Sequence, residues 1–392
     1  MRIYLAFFQT QARGPGTANY GFWADLLRAG LTESGHTVLE SNQVDWASGL
    51  ALREAHAQRA WLDRAWSVTL AELAQHQAAG GVDLFLGYFF PKQIEPAAVR
   101  EIARRGIPTV NFFCDNVREY RRVPEEFRAF DLQWVPEWAA LPLYAAAGLK
   151  HLHAPMPMWV EPEFRRLPAR EENSATFLGS HDSLRSELFS ALAAHGARLR
   201  VHGKGWVPAS DPAPAPLPPS GPWRRVVNQA AFWREHGTRA LFHKWGRTRV
   251  RPLARPPADW LGGPVERAEY TRLSRESAVT VGVNRFESPQ TKAGRFGTYS
   301  RLRDLEATML GACYLTEWAP GLDQLYDLDR EIAVYRDAAG LAAQLSALLA
   351  DPARRAALRA AAQRRALAEH TVGRTMDRIA VALGLNPSAK TS

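Results

Sequence analysis

The feature that most constrains this chain is the alternation of short apolar runs with segments of helical periodicity. An apolar run at 3–8 precedes a helix-like segment at 22–31, and further apolar runs follow at 82–90 and 132–135. Strands that alternate with helices at this spacing favour parallel βαβ units. The sequence therefore predicts a doubly wound α/β domain over residues 1–160.

A second alternating block follows a proline-containing linker. Apolar runs at 175–178, 199–202 and 278–283 are separated by segments with helical spacing. We predict a second Rossmann-like domain at 173–370, followed by a C-terminal helix and frayed tail at 371–392. Ligands of such sheets bind at the carboxyl ends of the strands, so the pattern also predicts a cleft between the domains that holds a nucleotide-like ligand.

An insert at about 207–263 interrupts the second domain. It starts with a proline-rich stretch and continues as a basic, tryptophan-containing segment at 220–260, with helical character over 226–241. Nine basic and two acidic residues fall within 220–260, so this segment holds most of the net charge of +9. The insert either contacts an anionic membrane surface, binds an acidic glycan or lipid-phosphate acceptor, or packs on its own domain with solvated arginines. The rest of the chain is nearly neutral, which argues against a nucleic-acid partner.

Cysteine usage and hydropathy predict the compartment. Cys114 and Cys313 lie far apart within apolar runs, which suits a reducing environment. No run of about 18 uncharged apolar residues is present. We expect a cytoplasmic protein that is either free or peripheral at the inner face of the membrane.

Several short motifs occur in order over roughly residues 105–375. The stretch 303–317 reads RDLEATMLGACYLTE, and upstream of it stand the motifs at 134–137, 157–159, 177–180 and 203–206. In this order they resemble the CgeB-like (spore maturation protein) glycosyltransferases. The resemblance implies the GT-B fold, a nucleotide diphosphate sugar as donor, and a reaction that needs no metal or other cofactor.

The resemblance also implies a role for Glu306. In similar GT-B enzymes, a Glu at the start of an E-A-x-x-x-G run binds the ribose hydroxyls of the nucleotide. A carboxylate suits that role because it accepts two hydrogen bonds from a vicinal diol. The alternative is an exposed helix Glu beside Arg303. Better-known retaining enzymes carry a second Glu eight positions upstream, where this chain has Thr298, so the stereochemistry stays open.

A departing nucleoside diphosphate develops negative charge, which fixed cations and amide groups stabilise. Candidate donor-binding residues lie on glycine-containing loops after predicted strands, on the first turn of the helix that follows, or just before or at the start of the predicted helix 302–310. They are Gly179, Ser180, Arg185, Gly203, Lys204, Arg295, Arg301 and Arg303. Arg185 is alternatively a solvated helix charge.

Further candidates would contact the acceptor or the donor sugar. Asp115 follows an apolar run and is either a general base on the acceptor or a turn cap. Glu137 either contacts substrate or caps a helix, and Glu317 is a donor-sugar candidate at a strand end. Acceptor-side loop candidates are Gly14, Gly16 and Asn19, whose alternative is an ordinary βα turn.

Taken together, these residues predict a metal-independent glycosyltransferase. It would move a sugar to a hydroxyl or amine of a glycan, lipid-linked, protein or small-molecule acceptor. The pair Asp327 and Asp329 matches the D-x-D metal motif of another glycosyltransferase fold, but no apolar strand precedes it, so we predict no metal site. The alternatives are a nucleotide-sugar epimerase on the same fold and a non-catalytic surface-assembly protein.

Overall fold

A computed structural model describes residues 1–10, 20–52, 54–207, 229, 233, 238, 254–287 and 295–385. The chain forms two compact units: the first comprises Met1–Trp159 with residues 368–385, and the second comprises Val160–Leu367. The predicted loop residues Gly14, Gly16 and Asn19, the predicted tail, and most of the proline-rich and basic insert with its helix lie outside the described residues.

The first unit is built on a parallel sheet of six strands in the order β2-β1-β3-β4-β5-β6. The strands are β1 (Arg2–Ala6), β2 (Thr37–Glu40), β3 (Leu84–Gly87), β4 (Thr109–Phe112), β5 (Leu132–Val135) and β6 (His151–His153). Every residue of β3, β4 and β5 is buried. Strands covered on both faces read as continuous apolar runs, which is why the sequence revealed them.

Helices connect the strands of the first unit. They are α1 (Tyr20–Glu33), α2 (Trp46–Ala51), α3 (Ala55–Ala78), α4 (Pro96–Arg104), α5 (Asn116–Glu119) and α6 (Leu141–Ala146). Asp45 caps α2 by accepting a hydrogen bond from the backbone N–H of Ser48. Trp46 packs edge-on against Trp61, Trp66 and Phe89, so an aromatic cluster joins α2 and α3 to the sheet.

The second unit has its own six-stranded parallel sheet, in the order β14-β13-β10-β7-β8-β9, and a two-stranded antiparallel pair, β11 with β12. The strands are β7 (Glu172–Leu178), β8 (Arg200–His202), β9 (Leu261–Gly262), β10 (Ser277–Gly282), β11 (Arg285–Phe286), β12 (Gly297–Thr298), β13 (Tyr314–Glu317) and β14 (Ala333–Tyr335). The strand order reverses beside β7 and β10, where such sheets bind their ligands.

Helices also flank this second sheet. They are α7 (Ser183–Ala194), α8 (Arg267–Glu276), α9 (Leu302–Met309), α10 (Leu322–Leu325), α11 (Ala338–Ala350) and α12 (Pro352–Glu369). Two buried arginines of α12, Arg355 and Arg359, pair with Glu171 at 2.6 and 3.0 Å. The pairing ties α12 to the chain just before β7.

The last helix, α13 (Val372–Leu383), packs with the first unit. It contacts α1 where Gly30 faces Val372, and a Cβ added to Gly30 would lie 2.6 Å from the Val372 Cβ. Gly30 therefore permits the close approach of the two helices. None of the helices within the described residues has both the length and the apolarity to cross a membrane.

Candidate functional site

Two glycine loops lie side by side at the carboxyl ends of β7 and β8. The backbone N–H of Gly179 donates to the carbonyl of His202 at 2.8 Å, and that of His181 donates to the carbonyl of Lys204 at 2.9 Å. Gly203 has φ of +150°, and a Cβ there would lie 2.1 Å from the Gly179 carbonyl oxygen. Only glycine fits this approach, so the structure brings the two predicted loops together.

Arg185 contacts the first of these loops, Gly179–Ser180. Asp182 caps α7 by accepting the Arg185 backbone N–H at 2.8 Å. The Arg185 guanidinium donates to the Ser180 carbonyl at 2.6 Å, and its Cζ lies 5.3 Å from the centroid of the Phe177 ring. The side chain is only 14% exposed. Arg185 is therefore held against the loop by its neighbours.

Arg185 belongs to a cluster of positive charge with two arginines at the start of α9. The pKa of Arg185 is lowered to about 10, chiefly by burial and also by the charges of Arg301 and Arg303, against the opposing charge of Asp182. Neither Arg301 nor Arg303 forms an ion pair within 4.0 Å with any residue that the structure describes. The buried Arg301 Nε also has no hydrogen-bond partner there. Such an excess of guanidinium charge suits a phosphate-bearing ligand.

Glu306, the predicted ribose ligand, lies half-buried on α9. Tyr270 of α8 donates its phenol hydroxyl to Glu306 Oε2 in a short hydrogen bond. The guanidinium carbon of Arg303 lies 5.2 Å from the centroid of the same tyrosine ring. The residues predicted for ribose and for phosphate thus share one aromatic neighbour. Tyr270 was not among the predicted site residues.

The beginning of α9 is fixed by Asp304, a fully buried carboxylate. Five groups hydrogen bond to it: the hydroxyls of Tyr314, Thr316 and Ser300 at 2.8, 3.0 and 2.8 Å, the Asn284 amide at 3.1 Å, and the Arg301 backbone N–H at 3.0 Å. Burial raises the pKa of Asp304, while the hydrogen bonds oppose that shift. Asp304 thereby sets the position of the helix that carries Arg301, Arg303 and Glu306.

Glu317 ends β13 as predicted, but its carboxylate is already engaged. The side chain is buried, and Arg285 donates to Oε1 at 2.9 Å through Nε and at 2.5 Å through a terminal nitrogen. Oε2 accepts the backbone N–H groups of Asn284 and Arg285 at 3.1 and 3.0 Å. Arg285 in turn accepts a hydrogen bond from Arg301 on its carbonyl at 2.7 Å. In this geometry Glu317 positions Arg285 and, through it, Arg301.

The first unit carries two carboxyl groups after neighbouring strands, Asp115 after β4 and Glu137 after β5. Glu137 is 1% exposed; its Oε2 accepts the Val117 backbone N–H at 3.0 Å, and its Oε1 has no partner among the described residues. The pKa of Glu137 is raised to about 8, chiefly by desolvation and also by the charge of Asp115, against the hydrogen bond from Val117. The Asp115 side chain is 28% exposed and lies 4.0 Å from Arg118.

The remaining predicted residues present exposed side chains. Ser180, Lys204 and Arg295 are exposed, with the first two on the paired glycine loops and Arg295 just before β12. Within the described ranges, no group of three or more His, Cys, Asp or Glu residues could hold a metal ion.

The profile of the family described as Glycosyl transferase-like matches residues 185–380, which is half of the chain. The chain belongs to this family. The glycosyltransferase match includes all but the first two residues of α7, the arginine cluster, Glu306 and Glu317. No curated protein matches the sequence.

Solved glycosyltransferase structures share the fold of this glycosyltransferase over almost all of its length. A sucrose-phosphate synthase from Thermosynechococcus elongatus is 15% identical with a TM-score of 0.52, covering 98% of this chain and 99% of that one. HepE of Anabaena, in complex with UDP, is 13% identical with a TM-score of 0.51, covering 98% and 100%. A glycosyltransferase from Rickettsia africae is 8% identical with a TM-score of 0.56, covering 100% and 99%. The predicted α/β fold of the GT-B type, with two parallel sheets, is confirmed.

Proposed function

We propose that this glycosyltransferase takes its sugar from a nucleoside diphosphate sugar bound at the carboxyl edge of the second sheet. The observation that carries the proposal is the arrangement of Arg185, Arg301 and Arg303 beside Glu306, with two glycine loops alongside. Cations and loop amides suit a diphosphate, and a half-exposed carboxylate suits a sugar diol.

Each part of the donor has a matching group in this proposal. The diphosphate lies against the arginine cluster and the loops of Gly179–Ser180 and Gly203–Lys204, and the ribose hydroxyls donate to Glu306. Asp304 and Glu317 act indirectly, because the first fixes α9 and the second fixes Arg285. The UDP in the Anabaena HepE complex supports a nucleotide as the ligand of this fold.

The proposed reaction breaks the bond between the anomeric carbon and the diphosphate oxygen. The acceptor hydroxyl or amine forms the new bond to the anomeric carbon, its proton passes to a base, and the nucleoside diphosphate leaves as an anion. Fixed guanidinium groups stabilise the negative charge that grows on the leaving group. The arginine cluster can supply that charge without a metal, and Asp115 stays the predicted base.

The acceptor and the cellular location stay predictions as well. The acceptor would be a glycan, a lipid-linked, protein or small-molecule hydroxyl or amine, and the enzyme would act in the cytoplasm. Contact with the membrane through 220–260 and membership of the CgeB-like group are likewise predictions. None of them is needed for the donor site.

Calorimetric titration with UDP, GDP, ADP and TDP tests the donor site. We expect one of them to bind, and Glu306→Gln to weaken that binding by about 1–3 kcal/mol because it removes a charged acceptor. Glu163→Gln is the matched control, since Glu163 is exposed in the same unit. If none of the four nucleotides binds, the proposal is wrong, and the alternative of a non-catalytic surface-assembly protein is favoured. Conversion of a sugar nucleotide to its epimer without transfer would instead favour the epimerase.

A further inference from the structure

We propose that Tyr270 is a positioning residue, which holds one oxygen of the Glu306 carboxylate so that the other selects nucleotides by their ribose hydroxyls. The inference rests on the proposed function, since it takes Glu306 as the ribose ligand. It adds a residue from a different helix and a specificity: the site should discriminate ribonucleotides from their deoxy forms through Tyr270.

The first step is that the two oxygens of the Glu306 carboxylate differ in their hydrogen bonds. The Tyr270 phenol donates to Glu306 Oε2, and within the described residues no other group hydrogen bonds to this carboxylate. Oε1 is thus left as an acceptor. A ribose hydroxyl that donates to Oε1 would find it already oriented.

The second step is that the hydrogen bond from Tyr270 reduces the entropy that Glu306 loses when a nucleotide binds. A glutamate side chain on a half-exposed helix surface has several rotamers, and binding that selects one of them loses conformational entropy. The bond from Tyr270 removes that freedom before the nucleotide arrives. The tyrosine itself is fixed, because it lies on α8 and the Arg303 guanidinium lies 5.2 Å from its ring centroid.

The third step concerns the proton. Burial raises the pKa of Tyr270, and the adjacent Glu306 carboxylate raises it further against the opposing charge of Arg303. The phenol therefore stays protonated and acts as a donor to Glu306. Phenylalanine keeps the ring beside Arg303 and removes the hydroxyl that donates to Glu306.

The test is a titration of four proteins: wild type, Tyr270→Phe, Glu306→Gln and the double variant. Each is titrated with UDP, GDP and ADP and with the 2′-deoxy and 3′-deoxy forms of whichever binds most tightly. We expect wild type to prefer the ribonucleotide by about tenfold or more over the form that lacks the bonded hydroxyl. Tyr270→Phe should reduce that ratio at least about threefold, and the double variant should match Glu306→Gln.

Two further variants keep the result interpretable. Tyr4→Phe is the matched control, because Tyr4 donates to Glu72 Oε2 at 2.6 Å in the first unit, and this variant should leave the ratio unchanged. Tyr270→Leu is a second variant that removes the phenol donor and leaves Glu306 unchanged. It should also reduce the ratio, which supplies the answer if Tyr270→Phe fails to fold.

The outcomes distinguish a failure of the role of Tyr270 from a failure of the proposed donor site. If wild type discriminates between the nucleotides and Tyr270→Phe keeps the full ratio, the role of Tyr270 is overturned while the donor site stands. Additive losses in the double variant would also overturn it, because Tyr270 would then act independently of Glu306. If wild type binds no nucleotide, the proposed function and this inference fall together.

Discussion

Replacing Glu137 by glutamine should stabilise the first unit, and more so as the pH rises. The carboxyl group is buried with one oxygen unpartnered, and its pKa rises from 4.5 to about 8 on folding. The folded chain therefore keeps a proton that the unfolded chain releases between those two pH values. Because the unfolded state binds fewer protons there, the free energy of unfolding falls as the pH increases through this window.

The size of the effect follows from the two pKa values. The raised pKa of Glu137 lowers the free energy of unfolding of the wild type by about 1 kcal/mol at pH 5, about 3 kcal/mol at pH 7 and about 5 kcal/mol above pH 8. Glutamine has nearly the same shape, keeps an acceptor for the Val117 N–H and cannot ionise. The stability gain of Glu137→Gln over wild type should therefore grow by about 2–3 kcal/mol between pH 5 and pH 7.

Urea unfolding at pH 5, 6 and 7, followed by tryptophan fluorescence, measures this difference. Glu54→Gln is the control, because Glu54 is exposed in the same unit and its replacement should give no such trend. A gain that is equal at pH 5 and pH 7 would refute the reasoning. So would a wild-type protein that becomes more stable, relative to the variant, as the pH rises.

Three further outcomes are expected. Asp304→Ala should lower the free energy of unfolding of the second unit by about 3–5 kcal/mol, measured by urea unfolding, because it leaves several buried donors unpaired. Gly203→Ala should cost about 2 kcal/mol or more and weaken nucleotide binding, since its Cβ meets the Gly179 carbonyl, whereas Gly196→Ala has open space and should cost about 1 kcal/mol. Transferase activity should survive a chelator, and a loss that added Mg²⁺ or Mn²⁺ restores would contradict metal independence.

Much of the fold could be predicted because most of its strands are buried on both faces. Apolar runs such as 132–135 and 278–283 identify β5 and β10 to within a residue or so. The strand β6 escaped prediction because its three residues, two of them histidines, are only half-buried. The last helix packs with the first unit through Gly30, a contact between residues more than 300 positions apart that no local pattern records.

The candidate site could be predicted from the sequence only where glycines or charged residues directly follow a predicted strand. Glycines and arginines after strands pointed to the paired loops and to Arg185. The role of Tyr270 could not be predicted because its hydrogen-bond partner Glu306 lies 36 positions away in the sequence. Asp304 stands between Arg303 and Leu305, and no local pattern shows that it is buried. Its burial depends on polar groups from three other segments.

A crystal structure of the protein soaked with its tightest-binding nucleoside diphosphate tests the central claim most directly. We expect the diphosphate oxygens within hydrogen-bond distance of the Arg185, Arg301 or Arg303 guanidinium groups, and a ribose hydroxyl on Glu306 Oε1. A nucleotide that binds elsewhere, with Glu306 and the three arginines untouched, would contradict the proposed donor site.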